Sequence, residues 1–231
     1  MRQCMAFFWL IYVNILMKRP TNKYRHIISL GKDCQVATYL GEKYGIAHGS
    51  LLDNVVSDSL IDIIKLFNEN FESYFLKNSL LLKGRNVHGC DTVIDSSNNI
   101  ISVHDFMSGV DFELNCNKFY ESISKKKSTL MMKVRKSGPI LFIRTNIKEE
   151  PLENTIRLVE TIRDIRGNFP FDVVVFQRHA LMSRNLGVPN LHTFYCDDWI
   201  WNGQKWQGNE QLWSQVFEAI SLQNKPNITL L

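Results

Sequence analysis

The amino-acid sequence predicts an α/β fold, a single three-layer domain in which a mostly parallel central sheet is flanked by helices. Strands of four to six apolar, β-branched residues alternate along the chain with helices of ten residues or more, the pattern of a sheet buried on both faces. The 231 residues, 45% hydrophobic and 22% charged, supply enough chain for one well-buried core and are too balanced for disorder or a long coiled coil.

The first strand is expected at residues 26–30 (HIISL), ending at Gly31, where a tight turn leads to Asp33 as a helix cap. Ala37, Leu40 and Tyr44 then recur at helical spacing, and Gly45 marks the helix end. After Ser57, the stripe Leu60, Ile63, Ile64 and Phe67 predicts a second helix. Residues 84–99, rich in Gly, Asn, Asp and Ser, read as loop with a short strand at 92–94, and residues 100–104 read as strand. A long basic helix is expected over 117–136, with Phe119, Ile123, Leu130, Met131 and Val134 toward the core and its lysines in solvent. Gly138 and Pro139 stop it.

Residues 140–143 (ILFI) form a continuous apolar strand that runs into Arg144, Thr145 and Asn146. A helix begins near Pro151, with Leu152, Ile156, Val159 and Ile162 on one face. Strands follow at 171–176 (FDVVVF) and 191–195, and a last helix from about Asn209 carries Trp213, Val216, Phe217 and Ile220. These elements place one domain at 25–223, between an apolar amino-terminal segment (1–24) and a tail (224–231).

Twenty-seven Lys and Arg against 23 Asp and Glu leave a net charge of +4, short of the concentrated basic surface that nucleic-acid binding needs. The chain has no Gly-rich phosphate loop, H-E-x-x-H helix or G-x-S-x-G elbow, so no cofactor or metal is expected. Its five cysteines, Cys4, Cys34, Cys90, Cys116 and Cys196, are odd in number and scattered, which points away from a disulfide framework and toward a reducing cytoplasm. Residues 4–17 are apolar, but fourteen residues fall short of the about 20 that a membrane span needs. Lys18, Arg19 and Pro20 stand where a signal peptide would carry small residues. Met17 is therefore an expected translation start, with an added core or membrane-surface helix as the alternative.

In a parallel sheet the functional crevice lies beyond the carboxyl ends of the strands. Those ends carry Gly31, Lys32, Asp33, Cys34 and Gln35, then His104 and Asp105, then Arg144, Thr145 and Asn146, then Gln177, Arg178 and His179. Cys34 is the sharpest signal. At the opening turn of a helix, backbone N–H groups and the positive end of the helix dipole favour a thiolate, and such a thiol is a candidate nucleophile. A cysteine nucleophile needs a general base and an acceptor that orients the base. His104 is the leading candidate for base if its strand neighbours the first one, and His179 competes with it. Asp105, Asp53 and Asp111 are possible orienting acceptors, Asp105 only if the strand has ended before it. Gly31, Asp33, Gln35, Arg144 and Asn146 are the expected substrate-binding residues. Four of the five tryptophans lie between Trp199 and Trp213, and packing is favoured for them over a stacking surface for sugars.

SLGKDCQVATYL, the stretch from Ser50 to Ser57, His104-Asp105-Phe106, ILFIRTN and the Trp-rich segment occur in the order seen in a bacterial family. The chain resembles, over roughly residues 25–220, the papain-like cysteine peptidase family formerly known as a domain of unknown function. The resemblance implies a thiol enzyme with Cys34 as nucleophile and His104 as base. It also implies a Pro-Phe-Asp-Trp run where this chain has Leu51-Leu52-Asp53-Asn54, keeping only the aspartate. The leading expectation is a cysteine hydrolase acting on an amide or acyl bond. A thiol-dependent transferase acting on sugars or surface polysaccharide and a noncatalytic binding domain are the alternatives. The expected partner is thus a peptide, acyl or glycan substrate.

Overall fold

The computed structural model describes residues 24–45, 49–145, 150–177, 187–195, 213–214 and 216–218. Its strands are β1 (His26–Ser29), β2 (Val55–Ser57), β3 (Leu80–Arg85), β4 (Cys90–Asp95), β5 (Ile100–Met107), β6 (Ile140–Thr145), β7 (Phe171–Gln177) and β8 (Leu191–Tyr195). Its helices are α1 (Gln35–Tyr44), α2 (Leu60–Asn68), α3 (Phe112–Lys136) and α4 (Leu152–Arg166). Residues 213, 214 and 216–218 are also helical. Residues 1–23 and 219–231, and with them the proposed start at Met17 and the tail, lie outside the described residues.

Four strands form the parallel sheet that the alternating pattern calls for, in the order β1-β6-β7-β8. β6 lies inside this sheet with every residue buried, pairing Ile27 with Leu141 on one side and Val174 with Ile143 on the other. Its alternating side chains feed two cores. Leu141 and Ile143 join Val174, Phe176, Val36, Tyr39, Leu40, Trp213, Val216 and Phe217. Ile140 and Phe142 join Val173 and Val175 against α2, α3 and α4, through Ile63, Phe67, Leu130, Val134, Val159 and Ile162. Trp213 stacks on Tyr39 at 4.6 Å, the packing role expected of it, while Trp199, Trp201 and Trp206 lie outside the described residues.

The other four strands correct the expectation of one mostly parallel sheet. They form a second, antiparallel sheet in the order β2-β5-β4-β3. Much of it falls where the sequence reads as loop, for physical reasons. β2 has three residues, too few for a periodic signal. β3 is an edge strand with all but its first residue exposed, so its backbone ladder to β4 holds it rather than a buried face. β5 continues to Met107, three residues beyond the expected end. The buried carboxylate of Asp95 ties this sheet to the loop before it, accepting from the Phe75 amide at 2.7 Å, Ser79 Oγ at 2.8 Å and Asn98 Nδ2 at 2.7 Å.

The helices begin where their caps dictate. Ser59 Oγ accepts from the Ile61 amide at the start of α2, and Asp111 Oδ1 from the Leu114 amide at the start of α3, five residues earlier than the apolar stripe indicates. Among the described residues no helix is long and apolar enough to cross a membrane.

Candidate active site

β1 leaves the parallel sheet through a turn that few residues could occupy. Gly31 has φ +71°, which favours glycine, and a Cβ there would stand 3.3 Å from Ser57 Oγ and 3.4 Å from Val55 Cγ2, close enough that Ser57 would have to give way slightly. Lys32 follows at φ +117°, a strained value for a residue with a side chain. It is held by burial and by an ion pair from its Nζ to Asp58 Oδ1 at 2.5 Å. Cys34 then occupies the N-cap of α1 without making a side-chain cap bond. Asp33 caps in its place, its Oδ1 accepting from the Gln35 amide at 2.9 Å. Cys34 is half-buried, whereas Cys90 and Cys116 are buried.

Arg144, at the carboxyl end of β6, fastens this turn to β2. Its guanidinium is fully buried and donates to the carbonyls of Leu30 at 3.0 Å, Gly31 at 2.8 Å and Ser57 at 2.8 Å, and to Ser57 Oγ at 2.6 Å. Burial lowers its pKa to about 10, against the opposing pull of Glu150, Asp33, Asp58 and Asp62. Glu150 in turn accepts from the Leu60 amide at 3.1 Å and Asn154 Nδ2 at 2.6 Å, joining α2 and α4 beneath the rim.

The electrostatics of Cys34 run against the expectation of a lowered thiol pKa. Burial and the adjacent Asp33 carboxylate push the thiol up, and they outweigh the backbone hydrogen bond that favours the thiolate. Asp33 is itself raised by burial, although the Gln35 amide, Lys32 and Arg144 all favour its charged form. The resting nucleophile candidate is therefore a thiol.

Gly31, Asp33, Cys34, Gln35 and Arg144 come together at one rim. His104 and Asp105 are carried by β5 of the antiparallel sheet, and Asp53 lies two residues before β2. β1 pairs with β6, whereas β5 lies between β2 and β4, so the strands of Cys34 and His104 are not neighbours. The Gly31 turn approaches both Ser57 and Val55 of β2, and Val55 pairs with Ser102, two residues before His104 on β5. His104 also sits in a bulge. Between the pairs Val93–Ser102 and Asp91–Phe106, β4 has one residue and β5 has three, His104 in their middle. Asn86 Nδ2 bonds the Val103 carbonyl at 2.8 Å, and the His88 ring lies 4.9 Å from the His104 ring.

Asp105 accepts from Ser102 Oγ at 2.7 Å, and buried Asp53 from the amides of Gly49 and Ser50 at 2.9 and 2.8 Å. Both carboxylates help raise the pKa of buried Tyr74, after burial itself and with Asp95. Asp111 is the α3 cap. Asn146 and His179 lie outside the described residues. Among the described residues no cluster of three or more His, Cys, Asp or Glu is arranged to hold a metal.

Sequence reasoning missed Ser57, Asp58 and Glu150, which build the rim around Cys34. Their only local signal was a polar residue flanking a short apolar run. It also missed Asn86 and His88 beside His104, because the hairpin that carries them has no alternating pattern.

A family model described as "Putative papain-like cysteine peptidase (DUF1796)" matches residues 25–179. No curated protein and no solved structure matches the chain.

Proposed function

The chain belongs to that papain-like cysteine peptidase family, and on this premise we propose that it is a cysteine hydrolase in which Cys34 attacks an amide or acyl carbonyl. The observation that carries the reading is the position of Cys34, half-buried at the amino end of α1 directly after a strained turn. Because burial and Asp33 keep the thiol protonated, a general base must take its proton as sulfur bonds to the carbonyl carbon. The base then returns that proton to the leaving group, and water releases the acyl group to regenerate the thiol.

Two imidazoles compete for the role of base. His104 is the one the family resemblance implies, with Asp105 or Asp53 to orient it. His179 follows β7 in sequence, and β7 is parallel to β1 and two positions away from it in the sheet, about 10 Å across. In this reading Gly31 and Arg144 shape the turn, while Asp33, Gln35 and Asn146 flank the substrate. A peptide is the favoured substrate and a reducing cytoplasm the favoured location. The transferase alternative leans on tryptophans outside the described residues.

The test is acylation by p-nitrophenyl acetate followed by peptide mapping. The expected result is a burst of nitrophenol with the acetyl group on Cys34, abolished in a folded Cys34→Ala variant. His104→Ala and His179→Ala then identify the base by which one removes the burst. A burst that persists in Cys34→Ala, or acetyl found only on lysines, would overturn the proposal.

A further inference from the structure

A cavity of about 320 Å³, which Cys34 does not line, lies between β1, α1, the 49–53 loop and α3. Its volume is in the range of small-molecule sites. α3 presents Lys126, Thr129, Leu130 and Lys133 to it at the i, i+3, i+4, i+7 spacing of one helix face, so the two lysines stand about 10 Å apart along the axis. Arg25 and His26 face them from β1 and the residue before it.

The charge in this cavity is one-sided. No described carboxylate forms an ion pair with Arg25, Lys126 or Lys133. Among the described residues Asp53 is the one acid in the lining, and its carboxylate accepts from the Gly49 and Ser50 amides. The excess is felt by His26, whose pKa is lowered by burial and then by Lys133, Arg25 and Arg166. Ser50, also in the wall, has a buried hydroxyl with no hydrogen-bond partner. Against these polar groups lie Ile27, Ile28, Ala37 and Leu40, an apolar surface that inorganic phosphate could not use.

We propose that this cavity binds a small organic phosphate, its dianionic phosphoryl group among Arg25, His26, Lys126 and Lys133 and its apolar body against Ile27, Ala37 and Leu40. A dianion matches several converging cations better than a monoanion does, and charge-assisted hydrogen bonds from lysine and arginine are the strong ones. Cys34 does not line the cavity, and the binding proposed here does not require its chemistry.

The test is calorimetric titration of the full chain with phenyl phosphate, alongside inorganic phosphate, phenylacetate and benzyl alcohol. Saturable one-to-one binding of phenyl phosphate is expected with Kd below about 1 mM, each comparison ligand being weaker. The Lys126→Met/Lys133→Met double variant should weaken binding by about tenfold or more. Thr129→Trp, which fills the cavity and keeps every cation, should do the same. Circular dichroism establishes that both variants are folded. No saturable binding, equal binding of phenylacetate or benzyl alcohol, or full affinity in folded Thr129→Trp overturns the proposal. The last result would assign the binding to diffuse surface charge.

Discussion

Replacing Gly31 by alanine tests whether the turn before Cys34 is built as the contacts indicate. An alanine at φ +71° costs about 1–2 kcal/mol in backbone strain alone. Its Cβ would meet Ser57 Oγ at 3.3 Å and Val55 Cγ2 at 3.4 Å. Ser57 Oγ cannot step aside freely, because it accepts from Arg144 Nη1 at 2.6 Å inside the core. Forcing that shift adds about 1–2 kcal/mol, so the expected loss is about 3 kcal/mol and a fall in Tm of roughly 10 °C for a chain of this size. Urea unfolding followed by tryptophan fluorescence, with thermal melts in parallel, measures both. If Gly31→Ala unfolds within about 1 kcal/mol of the wild type, the close approach of the turn to β2 is not what fixes this residue.

Arg144→Met removes a buried guanidinium and leaves three carbonyls and a hydroxyl without their donor, so destabilisation of about 3–5 kcal/mol is expected in the same urea assay. A loss under about 1 kcal/mol would show that the turn holds without it. Asp33→Asn keeps an oxygen for the Gln35 amide but removes the charge that raises the thiol, so iodoacetamide should label Cys34 faster at neutral pH than in the wild type; unchanged or slower labelling contradicts this electrostatic assignment. The raised Cys34 thiol also fixes a sign. The unfolded chain's thiol ionises first as pH rises, so its contribution to stability is complete below the ordinary thiol range and is lost above it. Comparing the alkaline slope of the wild type with that of Cys34→Ala checks this, and an equal slope rejects it.

The parallel half of the fold was legible because each strand there is a short apolar run with a helix after it. FDVVVF and ILFI are buried on both faces, and burial leaves its mark in composition. The antiparallel half was not, since LLLKGR is held by ladder bonds that any side chain permits. That difference also governs the site. Cys34, Asp33 and Arg144 could be placed from the strand ends that carry them. His104 could not, because its distance from Cys34 depends on which sheet β5 joins, a pairing fixed by Ile100, Ile101 and Ser102 against Val55–Ser57 rather than by residues near either side chain. The sign of the Cys34 shift was equally hidden, since the helix start is visible in sequence and the desolvation around the sulfur is not.

The outward border of β3 bears on how this protein behaves in concentrated solution. Leu81 and Leu82 are each 48% exposed there, on a strand whose far side meets no other strand of its sheet. Lys83 and Arg85, on the same strand, place like charges on any two such borders that approach. Salt that screens them shortens the reach of that repulsion to a few ångströms, so self-association should grow with ionic strength rather than shrink.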